Sequence, residues 1–261
     1  MTQASLILVE KADGVGIITL NRPEFGNALS LELCQDFLQA VEACAADDTI
    51  RSVLLTGTGR FFCVGGDVKA FVGEVDTVAR LMTSITDNLH EAQSVLLRME
   101  KPLVVAVNGP AAGAGLGLAM SGDLVFAADS AHFTMAYTGI GFSPDGGTSW
   151  LLPRLVGLRR AQEMALTNRR ISGQEAVEYG LITRCMANES LAAEAMEAAL
   201  SLANGPTEAF SAVRALLQSS YATTPEAQMA DEATRVCAQA IGPEGREGVS
   251  AFSEKRKPAF R

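Results

Sequence analysis

The stretch KPLVVAVNGPAAGAGLGLAM, residues 101–120, decides the fold class. Lys101-Pro102 stops whatever precedes it, Leu103 to Val107 reads as a short buried strand, and Asn108-Gly109-Pro110 turns the chain. A Gly/Ala-rich segment from Ala111 to Met120 follows, in which Gly113-Ala114-Gly115-Leu116-Gly117 opens a helix. Strand, turn and helix start in so short a span are the working unit of an α/β protein. The spacing is not a dinucleotide fingerprint, because Leu118 stands where the third glycine would be. Small residues here serve close helix packing. Equally, they leave backbone amides open at a helix N-terminus, where partial positive charge gathers and an oxyanion can bind.

Outward from this stretch the alternation continues. Leu6 to Glu10 and Val15 to Leu20 flank Ala12-Asp13-Gly14, a hairpin signal, and Asn21-Arg22-Pro23 ends the second run. Ser30 is placed to cap a helix carrying Leu33, Phe37, Val41 and Cys44. Val53-Leu54-Leu55 is a compact strand, and Gly57 to Asp67 a loop. Val78, Met82, Ile85, Leu89, Ala92, Leu96 and Met99 then step by four and three along an amphipathic helix. Leu124 to Ala127 and Ala131 to Thr134 read as further strands. Past Trp150 helices dominate: Ser172-Gly173-Gln174-Glu175 is a capping box, Leu191 to Ala203 a helix, and Thr224-Pro225 opens another. The expected division is an α/β core over residues 1–200 and a helical region over 201–261.

Composition narrows the functional classes. With 261 residues, nearly half of them apolar, the chain can bury a large core. A net charge of −9 disfavours nucleic acid, whose phosphates need a basic face. Cys34, Cys44, Cys63, Cys185 and Cys237 are odd in number and scattered, a reduced pattern rather than a disulfide framework or zinc site. Met1-Thr2-Gln3-Ala4-Ser5 lacks the blocks of a signal peptide, and no apolar run approaches the roughly 20 residues of a membrane helix. A cytoplasmic protein without membrane contact is expected.

Candidate chemistry is sparse. The histidines, His90 and His132, are far apart, and no Gly-x-Ser-x-Gly elbow occurs. His90 reads as a partly exposed helix residue and His132 as structural. Cys63-Val64-Gly65-Gly66-Asp67 places a glycine pair before an acid, with Asp67 simplest as an N-cap. Pro144-Asp145-Gly146-Gly147 carries a carboxylate on a bent segment, beside apolar Phe142 and Trp150.

Several of these segments, in order, resemble the crotonase or enoyl-CoA hydratase/isomerase family. They are Asn21-Arg22-Pro23 with Asn27-Ala28-Leu29, Phe62 to Asp67, Lys101-Pro102 through the glycine loop, Leu152 to Gly157, Ala176 to Leu181, and Phe252 to Arg256. The resemblance implies a spiral of repeated ββα units followed by a C-terminal α-helical trimerisation region, assembled as a homotrimer or dimer of trimers. It implies an acyl-CoA thioester substrate, coenzyme A entering only as part of that substrate, with no permanently bound cofactor or metal. By position the oxyanion-hole amides are those of Val64 and Ala114. Arg22, Ala28, Leu29, Cys63, Gly65, Asp67 and Val68 match the segments that hold adenine and phosphates. Gly113 and Tyr137 complete the substrate-binding set, and Phe252 and Lys255 match residues that approach coenzyme A from a neighbouring subunit.

Departures from the family pattern direct the choice of reaction. The two glutamates that hydratases use are replaced by Gly117 and Tyr137. Asp145 instead matches the acid of the phenylacetate-pathway isomerases, which points to enoyl-CoA isomerisation. It also matches the nucleophile of 4-chlorobenzoyl-CoA dehalogenase, with His90 and Tyr137 at positions that matter there. The ring-facing aromatics expected around Val64, Met82 and Leu89 are aliphatic, however, which ranks dehalogenation below isomerisation. An enoyl-CoA hydratase with atypical residues is the other enzymatic alternative. Val68, Phe71, Val72, Met82 and Ile85 are expected to form the acyl pocket. A non-catalytic CoA-binding protein is the alternative outside enzymes.

Overall fold

The computed structural model describes residues 5–260; Met1-Thr2-Gln3-Ala4 and Arg261 lie outside the described residues. Strands β1 (Ile7–Ala12) and β2 (Val15–Leu20) pair antiparallel across Asp13-Gly14. Both turn residues have positive φ, 50° and 85°, matching the right-handed twist that a two-residue hairpin loop requires. Helix α1 (Leu31–Ala46) starts where the Ser30 side chain accepts the Leu33 N–H at 3.3 Å, and it buries Leu33, Phe37, Val41 and Cys44.

The next units repeat the theme. β3 (Ser52–Gly57) leads through a loop to α2 (Val75–Arg98), and β4 (Leu103–Val107) and β5 (Ala111–Ala112) lead to α3 (Ala114–Met120). β6 (Leu124–Ala128) and β7 (His132–Thr134) precede α4 (Thr148–Val156) and α5 (Leu158–Thr167). β8 (Ile171–Ser172), α6 (Gly173–Glu178), β9 (Arg184–Met186) and α7 (Asn188–Ala203) follow. The expected capping box between Ser172 and Glu175 is formed at the start of α6. The chain finishes in α8 (Thr207–Ser219), α9 (Pro225–Ile241) and α10 (Pro243–Glu254).

These ββα turns lay down two sheets. The larger has the order β1-β2-β3-β4-β6-β9, parallel after its first pair, and the smaller has the order β5-β7-β8. Central strands of the large sheet are covered on both faces, which is why they read as unbroken apolar runs. Leu103, Val105 and Val107 face the main core beneath α1, α2 and α3, whereas Val104 and Ala106 face α7. Helix α7 meets them with Leu191, Ala195, Ala199 and Ala203, a four-residue step of small side chains that lets helix and sheet approach closely. It runs across residue 200.

The small sheet is longer in effect than its three strands. Isolated parallel bridges join Leu29 to Gly66 and Cys63 to Ala111, and Ala111 pairs with Phe133, which pairs with Ile171. The loop after β3 and the glycine-rich start of α3 are thereby hydrogen-bonded neighbours, though about fifty residues apart in the chain.

Candidate active site

Asn27 builds the first wall. Fully buried, with φ of 55°, it donates to the carbonyls of Thr58, Phe61 and Phe62 at 3.1, 2.9 and 3.0 Å, and accepts the Arg22 N–H at 2.8 Å. One side chain thus fixes the loop that delivers Cys63 to Asp67. Glycines allow the next contact: a Cβ on Gly65 would lie 2.9 Å from the Ala112 carbonyl oxygen, and one on Gly115 would lie 2.2 Å from that of Cys63. Only bare Cα atoms let these two backbones touch.

The expected pairing of Val64 with Ala114 needs correction. The Val64 N–H donates to the Gly26 carbonyl at 3.1 Å, so it is already committed to the fold. The N–H groups of Gly66 and Ala114 donate to no acceptor among the described residues, and both residues wall the same cavity. Ala114 is the first residue of α3, where no intrahelical acceptor exists for its amide.

That cavity encloses about 460 Å³. Leu29, Val64, Gly65, Val68, Gly113, Ala114, Tyr137 and Asp145 line it, as do Phe71, Met82, Ile85 and Leu89. The Phe71 and Phe142 rings stand 6.3 Å apart across a 35° tilt. Val72, expected among the lining, is 86% exposed and is not part of it. Trp150, expected beside the acid, lies under the Arg154 guanidinium at 4.1 Å and does not line the cavity.

Arg22, Ala28, Cys63, Asp67, Phe252 and Lys255 also lie outside the cavity wall. Arg22 and Asp67 form an ion pair at 2.8 Å, with the guanidinium also on the Ala28 carbonyl and over the Phe25 ring. Asp67 occupies the cap position of the short turn Val68–Phe71, yet its carboxylate goes to Arg22 and caps nothing. The Cys63 thiol is buried and donates to the Asn27 carbonyl; burial pushes its pKa up to about 12, which makes it inert. Phe252 is 86% exposed on α10, and Lys255 ends that helix with φ of 54°.

Asp145 is held from several sides. The Tyr137 hydroxyl donates to its Oδ1 at 2.6 Å, and the Thr148 hydroxyl donates to its carbonyl at 2.8 Å. Burial, reinforced by the Asp145 charge, holds the Tyr137 pKa well above that of a free phenol. His90 is half-exposed, as expected, but it also belongs to the site. Its Nε2 accepts the Gly146 N–H at 3.1 Å and lies 3.6 Å from Asp145 Oδ2. Gln93, a polar residue on the core face of α2, donates to the Gly146 carbonyl at 2.9 Å. Its place between Ala92 and Leu96 was the signal that could have identified it. His132 is structural; burial and the charges of Arg170 and Arg60 lower its pKa. Among the described residues, no three His, Cys, Asp or Glu side chains gather as metal ligands, and no helix is long and apolar enough to cross a membrane.

Gly117, the position matched above to a hydratase glutamate, has no room for a side chain. A Cβ there would sit 2.1 Å from the Gly146 carbonyl oxygen, so the Asp145 loop fills the space such a side chain would need.

The spiral thus brings one tethered carboxylate and two backbone N–H donors to the wall of a single apolar cavity. Comparison with known proteins gives the family. A family model described as enoyl-CoA hydratase/isomerase matches residues 10–261. The 1,2-epoxyphenylacetyl-CoA isomerase of Escherichia coli (strain K12) is 38% identical over 261 residues, covering 100% of this chain and 99% of its own. The 4-chlorobenzoyl coenzyme A dehalogenase-2 of Arthrobacter sp is 34% identical, over 95% of this chain and 91% of its own. A crystal structure of an enoyl-CoA hydratase from Polaromonas sp. JS666 superposes with a TM-score of 0.93 at 32% identity, covering 98% of this chain and 99% of that one. The chain belongs to the enoyl-CoA hydratase/isomerase family, and it is an enzyme of that family.

Proposed function

We propose that the protein is an acyl-CoA thioester isomerase that shifts a double bond into conjugation with the thioester carbonyl. The observation that carries this reading is the Asp145 carboxylate, fixed by Tyr137 in the wall of the cavity that also exposes the free amides of Gly66 and Ala114. Thioester oxygen between the two amides gains charge as a proton leaves the adjacent carbon, and each such donor is worth about 3–4 kcal/mol to the enolate. Asp145 removes a proton from one carbon of a 3-enoyl thioester and returns it two carbons away. One carboxylate suffices, since both carbons present the same face of a planar dienolate. Its Oδ1 is taken by Tyr137, so the transfer falls to Oδ2. A ring-derived thioester, the type of molecule named for the Escherichia coli relative, carries an acidic hydrogen beside the same carbonyl and is open to the same first proton transfer.

Water addition through paired glutamates is disfavoured by the closed space at Gly117. Coenzyme A itself would follow the wall outward from Leu29 and Val68 to their chain neighbours Ala28 and Asp67 and to Arg22, which is paired with Asp67. No resident cofactor is needed for these steps. Assembly as a trimer or dimer of trimers would cover Leu217, Met229 and Phe252, exposed on the C-terminal helices, and Tyr221 in the turn between α8 and α9.

The test is Asp145→Asn assayed on 3-hexenoyl-CoA by the ultraviolet absorbance of the conjugated product. Activity is expected to fall about 1,000-fold, within the range for removal of a general acid–base group. Near-full activity would sink the assignment.

A second reading draws on the His90 imidazole 3.6 Å from Asp145 Oδ2 and on the dehalogenase relative. In that reading the Asp145 carboxylate attacks a chlorine-bearing ring carbon, chloride leaves, and water then hydrolyses the aryl ester to a phenol and the free carboxylate. A single turnover in oxygen-18 water separates the two: isomerisation leaves Asp145 unlabelled, and covalent catalysis labels it.

A further inference from the structure

Helix α2 grips both polar groups of one residue in the acid loop. The Gly146 N–H donates to His90 Nε2 at 3.1 Å, and Gln93 Nε2 donates to the Gly146 carbonyl oxygen at 2.9 Å. Three positions apart, the two side chains share a face of the helix. Gly146 is buried with φ of +56°, and its carbonyl oxygen abuts the bare Cα of Gly117.

Gln93 is 4% exposed, and its Oε1 has no hydrogen-bond partner among the described residues. A buried amide with an orphaned oxygen is a poor core side chain, since methionine of similar volume would fill the place without an unsatisfied acceptor. The one bond its side chain makes among the described residues goes to the residue after Asp145.

We propose that Gln93 is a positioning residue for the reaction: by pinning the Gly146 carbonyl against Gly117, it fixes where the Asp145 carboxylate stands. The inference rests on the acid–base role assigned to Asp145 above. Releasing the Gly146 carbonyl lets the loop swing, lengthens the bond from Tyr137 to Asp145 Oδ1 and moves Oδ2 relative to the amides of Gly66 and Ala114. Tyr137 and His90, the titratable groups in contact with Asp145 among the described residues, lie on other segments of the chain.

Gln93→Met removes the donor and keeps the volume. Its kcat on 3-hexenoyl-CoA is expected to fall about 100-fold, the scale of a misplacement of about 1 Å, with KM changed less than about threefold. Without substrate, the 13Cγ resonance of Asp145 at about pH 7, assigned by its loss in Asp145→Asn, is expected to move from its wild-type position, because the short bond from Tyr137 lengthens. An Asp145 resonance identical to the wild type in folded Gln93→Met overturns the proposal, whatever happens to kcat. Should that variant not fold, Gln93→Leu also removes the donor and is read by the same resonance. If the wild type isomerises no 3-enoyl thioester while the resonance still moves, the functional reading fails and the positioning role stands.

Discussion

Tyr137 gives the acid its orientation, and the physics of one phenol sets what its loss should do. Its hydroxyl lies 2.6 Å from Asp145 Oδ1, a short bond from a neutral donor to a charged acceptor. Because burial and the neighbouring carboxylate hold its pKa above the free-phenol value of about 10, the group remains a donor throughout the useful pH range. Tyr137→Phe should therefore lower kcat about 10- to 100-fold, the equivalent of the roughly 1.5–3 kcal/mol of a bond to a charged group. Wild-type activity should show no fall from phenol ionisation below about pH 10. A pH–rate profile of both proteins checks the two statements together. The residue scale is also where sequence reading failed most clearly. Val64 stood in the right loop, but whether its N–H is free depends on Gly26, thirty-eight positions earlier, accepting it. Nothing local marks Gly66 as the residue whose N–H meets no acceptor among the described residues.

Elements were more legible, because each is set by a pattern within a few residues. The hairpin at Asp13-Gly14, the Ser30 cap and the Ser172 capping box stand where turn and cap chemistry puts them. Helix α2 carries its apolar stripe as its periodicity predicts, from Ile85 to Leu96. What the period could not reveal is that the same helix reaches the acid loop through His90 and Gln93. Those contacts depend on a crossing between α2 and residues more than fifty positions later. The short helix α3 makes the same point through Gly117, which as a sequence is merely a third small residue. In the fold it marks a collision between helix and loop, and this yields a test. Gly117→Glu restores the residue type that hydratases carry, but its Cβ would meet the Gly146 carbonyl oxygen at 2.1 Å. The variant should lose isomerisation by at least about 100-fold through displacement of Asp145, and should gain no hydration of 2-hexenoyl-CoA. Loss of the conjugated absorbance on adding the variant to that thioester would contradict the expectation.

At the scale of the whole molecule, the C-terminal helices have to be fastened to the spiral, and two arginines do much of that. Arg51, just before β3, donates to the carbonyls of Ala203 and Gly205 at 2.8 Å each and pairs with Glu244 at the start of α10. Arg214 on α8 is 7% exposed and reaches into the core. It pairs with Asp123 at 2.8 Å and donates to the carbonyls of Leu96, Met99 and Lys101. Those carbonyls belong to the end of α2 and the turn after it, where helix geometry leaves acceptors without intrahelical partners. Asp123 in turn accepts the Leu103 N–H at 2.7 Å, so one guanidinium ties α8, α2 and β4 together. The partners are 91 to 118 positions apart, which is why Arg214 looks like any other charged residue of an amphipathic helix in the sequence. Arg214→Ala strands a carboxylate and three carbonyls at once. Asp123 keeps contact with solvent, so the loss comes mainly from the backbone carbonyls left unmet, about 1–3 kcal/mol for each that water does not reach. Urea unfolding of the variant should show that loss, and hydrogen exchange should show it first in α8 and at the end of α2. Stability equal to the wild type would mean that the C-terminal region is held by other contacts, and that the carbonyls around Arg214 are met by water.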